Sequence, residues 1–320
     1  MTGPFKFEQK DEFNLHHIKI RRRSSPLTSS IQVRPLLSIG MPVYNEERHL
    51  AQTLDSLLAQ DYENFELILA DNASVDATPQ ICADYSARDA RIRYHRNETN
   101  IGGMRNFNRA FELAKGDYFM WASGHDRRHP TMISRCMEVL TQDTSVVLCY
   151  PQTIWVDDEG QPLEIVHDYI DTRGLLKATT RLNAVLWGLV TGFPIYGVIK
   201  SDALRQTRLF ARVVSPDIAL LGELSLLGTF AYIPEPLLYA LKPEDHGNWE
   251  VYVAKHFTRG LSGWSAQMLF WRMNWDLIRR VMKHIPGYGG KVTGLLSVLL
   301  CMLSKYRWML VGLRSLKRKS

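Results

Sequence analysis

The chain has 320 residues, 45% apolar and 22% charged, which suits one large domain, or one domain with a smaller appendage, and excludes wholesale disorder. Its net charge of +6 is concentrated at the ends: residues 21–23 are all arginine, and Arg314, Lys317, Arg318 and Lys319 cluster at the other end. Such clusters either attract nucleic acid or anionic lipid or are simply solvated tails. Cys82, Cys136, Cys149 and Cys301 are widely separated and form no CxxC pair, so a metal finger is excluded and a disulfide framework is disfavoured.

Residues 1–34 read as a flexible basic leader, polar and without a periodicity that could bury a face. Residues 5–20 carry no apolar stretch of the kind a signal peptide needs, so none is expected. Order is predicted to begin at Pro35. Residues 36–41 form a short apolar run, a buried strand by length. Leu50, Leu54, Leu57 and Leu58 follow at helical spacing, with Glu46 and Glu47 placed in the helix's first turn. The cycle repeats with strands predicted at 65–70, 92–95, 118–122 and 146–150. Helices are predicted between them, one carrying Ile81 and Tyr85, one carrying Phe107 and Phe111 and closed by Gly116, and one over 132–140. Strands alternating with helices imply βαβ units and a parallel sheet. After residue 150 the rhythm changes. Residues 155–160 look like a strand running into a tight turn, 174–192 and 201–230 look helical, and 231–241 is a strand broken by Pro234 and Pro236. Residues 292–303 are apolar but too few to span a bilayer, and Lys305 and Arg307 interrupt any longer span. That end reads either as an interfacial anchor or as an ordinary helix packing on the domain.

Ligands of an open parallel sheet bind beyond the carboxyl ends of its strands. Those ends are Pro42-Val43-Tyr44-Asn45-Glu46, Asp71-Asn72-Ala73-Ser74-Val75-Asp76 and Ser123-Gly124-His125-Asp126. No GxGxxG follows the first strand and no Walker A motif is present, which disfavours a dinucleotide or P-loop site. A nucleotidyltransferase is disfavoured too, because Asn45-Glu46-Glu47 occupies the place of a Gly-rich basic loop.

The blocks Ser38-Ile39-Gly40-Met41-Pro42-Val43-Tyr44-Asn45-Glu46, Asp71 to Asp76, Asn100-Ile101-Gly102 and Ala114-Lys115-Gly116-Asp117-Tyr118 resemble, in order and spacing, those of the family 2 glycosyltransferases. The resemblance is strong over 35–160 and continues weakly to about 245. It implies an α/β fold of GT-A type, a mostly parallel sheet flanked by helices, with a mainly helical C-terminal extension. The corresponding organisation is a GT-A domain over 35–245, with a nucleotide-sugar half at 35–155 and an acceptor half at 156–245. A helical extension, membrane-associated or not, follows over 246–320.

The activity implied is transfer of a sugar from a nucleoside-diphosphate sugar, UDP- or GDP-linked, to a glycan or lipid-linked acceptor, with inversion and a divalent Mn²⁺ or Mg²⁺. By the same resemblance Pro42 and Tyr44 wall the base, Asp71 accepts its ring N–H, and Asn45, Glu46, Asn72 and Asn100 contact base or ribose. Asp71 and Asn72 are also explained by capping alone. The acidic cluster that holds the metal in the family is reduced here to Asp126, with Gly124 and His125 where acids often stand. His125 is read as a metal ligand, a ribose contact or a turn residue, and Arg127 and Arg128 as cations that could meet the diphosphate. Asp217 is the candidate general base, with Glu223 in reserve, and the alternative for Asp217 is stabilisation of a helix N-terminus. His246 is a second candidate metal ligand. Residues 191–197 resemble the stretch that shapes the acceptor pocket, and Trp187, Trp249, Trp264, Trp271 and Trp275 lie in the second half. No nucleic-acid partner is expected. The expected location is the cytoplasm, in solution or peripheral at the inner face of the plasma membrane. The alternative function is a non-catalytic nucleotide-sugar-binding or scaffolding subunit of a polysaccharide assembly complex.

Overall fold

The computed structural model describes residues 34–213, 215–243 and 263–305. Its centre is a mixed, mostly parallel sheet. β1 (Leu37–Val43), β2 (Phe65–Asp71) and β3 (Ile92–Arg96) run parallel, each joined to the next by a helix, α1 (Leu50–Leu58) and α2 (Thr78–Arg88). After α3 (Gly103–Glu112) the chain returns to the other side of β1, where β4 (Tyr118–Trp121) pairs parallel to it. Strand order therefore reverses between β1 and β4. That reversal opens a crevice beyond their carboxyl ends.

β2 is buried along its whole length, and β1 at every position but the half-buried Pro42, because helices cover both faces, which is why they read as continuous apolar runs. Leu37, Ile39 and Met41 pack on one face with Leu50, Leu54 and Leu57 of α1. On the other, Phe119 and Trp121 stack with Phe111 of α3 and with Phe210, at centroid distances of 4.8–6.3 Å.

Gly116 does not close α3 in a left-handed conformation as expected; α3 ends earlier, at Leu113. Its smallness serves a close approach: an added Cβ would lie 2.6 Å from the Leu36 carbonyl oxygen. The amides of Lys115 and Gly116 donate to Ser38 Oγ, which donates in turn to the buried carboxylate of Glu66. Burial opposes the Glu66 charge, but the hydrogen bonds from Ser38, Arg93 and the Lys115 amide outweigh it and hold the carboxyl below its usual range.

The second half departs further from the predicted pattern. Following β5 (Arg127–Arg128) and α4 (Met132–Gln142), β6 runs unbroken from Val146 to Val156 and turns into β7 (Pro162–Ile165). β6 does not pair with β4. A three-residue strand, β8 (Val198–Lys200), lies antiparallel between them. Three residues are too few to show a period, so it was invisible in the sequence.

The segment predicted as one helix over 201–230 is two, α6 (Ser201–Arg205) and α7 (Pro216–Leu227). Leu209 and Ser215 adopt left-handed backbone between them, and Ser215 precedes Pro216, which disfavours helical conformation before it. β9 (Thr229–Leu241) is continuous despite Pro234 and Pro236. Its ladder with β6 slips at the prolines, where Ile233 pairs with Pro151 but Pro236 with Gln152. α5 (Ala178–Gly188) packs against α7. The helical extension is a pair, α8 (Gly263–His284) and α9 (Tyr288–Lys305), seated on α7 and α5 through Leu182, Leu186, Met273, Leu277, Val281 and Val298.

Glu223, the reserve catalytic candidate, lies buried in α7 and accepts from the Arg208 amide at 3.0 Å, with Arg280 Nε of α8 at 3.2 Å. Arg208 pairs in turn with Asp276 of α8. Glu223 therefore clamps the extension to the domain. Burial raises its pKa, and the charge of Arg280 and the Arg208 amide oppose that rise. Arg280→Gln removes the main opposing charge, so the pKa rises further and, above the unfolded carboxylate range, the native state binds more proton than the unfolded state. The variant should lose about 3 kcal/mol at neutral pH. The deficit should shrink as pH falls toward the unfolded carboxylate range near about pH 5. Urea unfolding of both proteins across pH measures this, and a pH-independent deficit would contradict the assignment.

Candidate active site

The two loops beyond β1 and β2 are laced together by side chains that satisfy each other's backbone. Asn45, at φ 55°, donates its amide to Ser74 Oγ, while its Oδ1 accepts from the Val75 amide at 2.9 Å. The Glu46 amide donates to Thr78 Oγ1 at 2.7 Å, the Glu47 amide to Asp76, and the Ala77 amide to the Glu47 carboxylate. Glu46 and Glu47 therefore precede α1, which begins at Leu50, instead of occupying its first turn. Tyr44 stands 45% exposed beside this seam and Pro42 is half-buried behind it.

Asp71 is fully buried. Its Oδ1 accepts from the Ser74 amide, and its Oδ2 accepts from Tyr94 Oη at 2.9 Å and Arg96 Nε at 3.1 Å. Asn72 is almost as deep and bolts β2 to the loop before α3. Its Nδ2 donates to Asn100 Oδ1 at 2.8 Å, and its Oδ1 accepts from Asn97 Nδ2 and from the Ile101 amide. Neither caps α2, which begins at Thr78. Of the residues singled out for base and ribose, Asp71 and Asn72 are buried and braced within the loops, Glu46 is part-buried, and Tyr44, Asn45 and Asn100 are exposed.

Across the switch point, His125 Nδ1 lies 3.0 Å from Glu46 Oε2, joining the loop after β4 to the loop after β1. His49 is beside them with its Nε2 3.4 Å from Asp158 Oδ1, and Arg48 reaches the same carboxylate at 2.6 Å. Burial lowers the His49 pKa; Asp158 opposes that, and the neighbouring Arg48 and His125 charges add to it. His49 and Asp158 were not identified from the sequence. Asp158 lies in the acidic turn after β6, and nothing in the pattern couples it to a histidine before α1.

Asp126 is placed differently from a metal ligand open to a diphosphate. It is 3% exposed, and its Oδ1 accepts from the Leu241 amide of β9 at 3.0 Å. Beneath it the Arg128 guanidinium is buried as well; desolvation pulls its pKa down, and Asp126 opposes the shift. Arg128 Nη1 donates to the Asp126 backbone carbonyl at 3.3 Å, its Nε and Nη2 have no hydrogen-bond partner among the described residues, and Arg127 lies against Gly160. Among the described residues no three His, Cys, Asp or Glu side chains group into a metal site. Among the described residues, therefore, no cluster of carboxylates fits such a cation. His246 and Trp249 lie outside the described residues, as does the Trp264 side chain.

On the acceptor side, Asp168 is buried and accepts from the Val190 and Thr191 amides and from Thr191 Oγ1, fixing the loop at 190–192. Gly192 faces Asp217. A Cβ there would come within 1.9 Å of Asp217 Oδ2, so a larger residue would displace the carboxylate from this position. Asp217 sits in the first turn of α7. α7 leads into β9 through Gly228 alone. Phe193 packs edge-on against Trp155 at 4.8 Å, which ties this segment to the end of β6. Flanking Asp217, Ser215 and Ile218 help line an apolar cavity of about 210 Å³, together with Leu186, Leu189, Met273 and Val298.

The model for glycosyl transferase family 2 matches residues 38–207. The putative glycosyltransferase EpsE of Bacillus subtilis is 38% identical over 102 residues, 32% of this chain and 37% of EpsE, so the chain spans little more than a third of that relative. Among solved structures, S. aureus TarS 1-349 in complex with UDP-GlcNAc aligns with a TM-score of 0.64 at 16% identity, covering 85% of this chain and 73% of that one. The mannosyltransferase PcManGT from Pyrobaculum calidifontis, in complex with GDP-Man and Mn²⁺, aligns with a TM-score of 0.54 at 15% identity, covering 89% and 74%. These likenesses bear out the expected GT-A fold class. With the family model matched over more than half its length, the chain belongs to glycosyl transferase family 2.

Proposed function

We propose that the protein transfers a sugar from a UDP- or GDP-linked donor to a glycan or lipid-linked acceptor, with inversion, in the crevice at the β1–β4 switch point. The observation that carries this reading is the Glu46–His125 pair, which brings the loops after β1 and β4 together where a nucleotide sugar would lie. The solved relatives bind UDP-GlcNAc and GDP-Man, which supports a nucleoside diphosphate as the leaving group. Asp217 takes the acceptor's hydroxyl proton as that oxygen attacks the anomeric carbon. The bond to the diphosphate oxygen breaks, and the nucleoside diphosphate departs with the electron pair. His125, held by Glu46, offers the diphosphate a charge-assisted donor. The apolar cavity flanking Asp217 suits an acceptor that carries lipid. Asp71 acts by bracing the base-facing loop.

PcManGT is bound with Mn²⁺, and Mn²⁺ or Mg²⁺ is the cation to test here. No step is assigned to it, because Asp126 is buried against Leu241 and Arg128. The same observation favours the second reading, a subunit that binds the donor without transferring it.

In thermal melts with UDP, GDP and their sugars, with and without Mn²⁺, at least one nucleotide should raise the Tm, and the proposal fails if none does. Asp217→Asn should reduce transfer by about 10²–10⁴-fold while keeping the nucleotide-induced shift. Wild-type protein that binds nucleotide but transfers nothing to any glycan or lipid-linked acceptor supports the second reading.

Asp71→Asn leaves a buried site with one acceptor oxygen fewer and should lower stability by about 2 kcal/mol in urea unfolding. If unfolding is unchanged but the nucleotide shift disappears, Asp71 contacts the base directly.

A further inference from the structure

The helical extension leaves a large apolar surface uncovered. On α9, Gly294, Ser297, Val298 and Cys301 face the domain and are buried. The opposite face carries Val292, Leu296, Leu299, Leu300 and Leu303, all exposed, accompanied only by Thr293 and Ser304. No charged side chain interrupts this face over the thirteen residues from 292 to 304. A helix whose outer face met only water would carry charge there. No helix among the described residues is long and apolar enough to cross a membrane, so the face is not one side of a span.

α8 continues the surface. At about 100° per residue, Trp271, Trp275 and Met282 share one exposed stripe. This stripe lies one step around the helix from Val281 and Ile285, which meet Gly294 and Gly290 of α9. It therefore borders α9. The next stripe around α8 is basic: Arg272, Arg279 and Lys283 line a cleft of about 420 Å³, and Arg279 lies over the Trp275 ring at 5.4 Å. The neighbouring cations Arg208 and Arg280 are neutralised by Asp276 and Glu223, whereas no carboxylate among the described residues pairs with Arg272, Arg279 or Lys283.

Charge separates this end from the rest of the chain. From Leu277 to Ser320 there are ten Lys and Arg residues and no Asp or Glu. The whole chain carries +6, so the first 276 residues sum to −4. A second copy of the chain would bring the same cations to the same face and repel. An apolar strip flanked by tryptophan and by unpaired cations matches an anionic lipid surface, where aliphatic side chains enter the acyl boundary and the cations meet phosphate headgroups.

We infer that the α8–α9 hairpin is a docking surface for an anionic membrane, seated in the plane of the interface. This does not depend on the reading of the catalytic site. The experiment is co-sedimentation of the full chain with vesicles of phosphatidylcholine alone and of phosphatidylcholine with 30% phosphatidylglycerol. Binding should appear with the mixed vesicles, weaken in high salt, and fall by about tenfold or more in Leu296→Ser/Leu300→Ser. Both positions are exposed, so thermal unfolding of that variant should match wild type. Arg272→Gln/Lys283→Gln should reduce binding to the mixed vesicles and flatten its salt dependence. Wild-type protein that stays in the supernatant overturns the inference. So does binding that is indifferent to the Leu296 and Leu300 changes, since the basic tail alone would then account for it. A dimer in solution that those changes dissociate, without vesicle binding, would assign the face to a second copy instead.

Discussion

Beyond the last ladder bonds of β1 and β2, backbone amides continue into loops that have no strand to pair with. Such groups must find partners or stay open to water. Here they are satisfied by short side chains from the opposite loop: Ser74 and Thr78 accept from Asn45 and Glu46, and Asn45 and Glu47 accept from Val75 and Ala77. Each loop is thereby held by the other, and neither can shift without breaking several of these bonds together. Asp71 and Asn72 extend the arrangement inward and tie it to β3 and to the loop before α3. The crevice between β1 and β4 keeps its floor because this seam is rigid, and the Glu46–His125 contact can form because the seam fixes the Glu46 backbone.

This arrangement explains what could be seen in the sequence and what could not. β1 to β4 were legible because helices cover both sheet faces and demand continuous apolar runs. The loop residues were legible as special, but not in their role. An Asn or Asp at a strand end offers the same oxygens to a ligand and to a backbone amide, and pattern alone cannot say which takes them. Asn45, Asn72 and Asn100, which resemblance singles out as ligand contacts, each also hydrogen-bond the protein's own backbone or side chains, and Asn45 and Asn100 remain exposed. The Lys115-Gly116 block is likewise structural, since it packs against β1 and Glu66 at the end of the sheet opposite the crevice. The helix at 201–230 was misjudged because its break depends on two left-handed residues, Leu209 and Ser215, which are neither glycine nor asparagine. Asp158 and His49 meet only through the packing of the turn after β6.

Asp126 shows how its surroundings set the chemistry of a carboxylate at a strand end. A carboxylate at the end of β4 could face a cation bound in the crevice. In this chain the Leu241 amide occupies one of its oxygens, and the Arg128 guanidinium, two residues on, donates to its backbone carbonyl and feels its charge. Arg128 would be costly to bury alone, and Asp126 offsets part of that cost. The Asp126–Leu241 hydrogen bond extends the β5–β9 ladder, in which Arg127 pairs with Tyr239 and Arg128 with Leu238.

The position of Asp217 follows from α7 as a whole. Residues 219–226 are buried, so the helix behaves as a rod wedged among α5, α8 and β6. Asp217 at its first turn and Glu223 at its middle are six residues apart, about 9 Å along the axis. Glu223 is clamped to Arg280 of α8, and the side chain of Asp217 rests over Gly192 in a loop fixed by Asp168. The carboxylate that would take the acceptor proton is thus located at one end by the 190–192 loop and at the other by the helical extension. A displacement of α8 would have to stretch a buried ion pair before it moved the rod. The extension is therefore coupled mechanically to α7, and through it to Asp217.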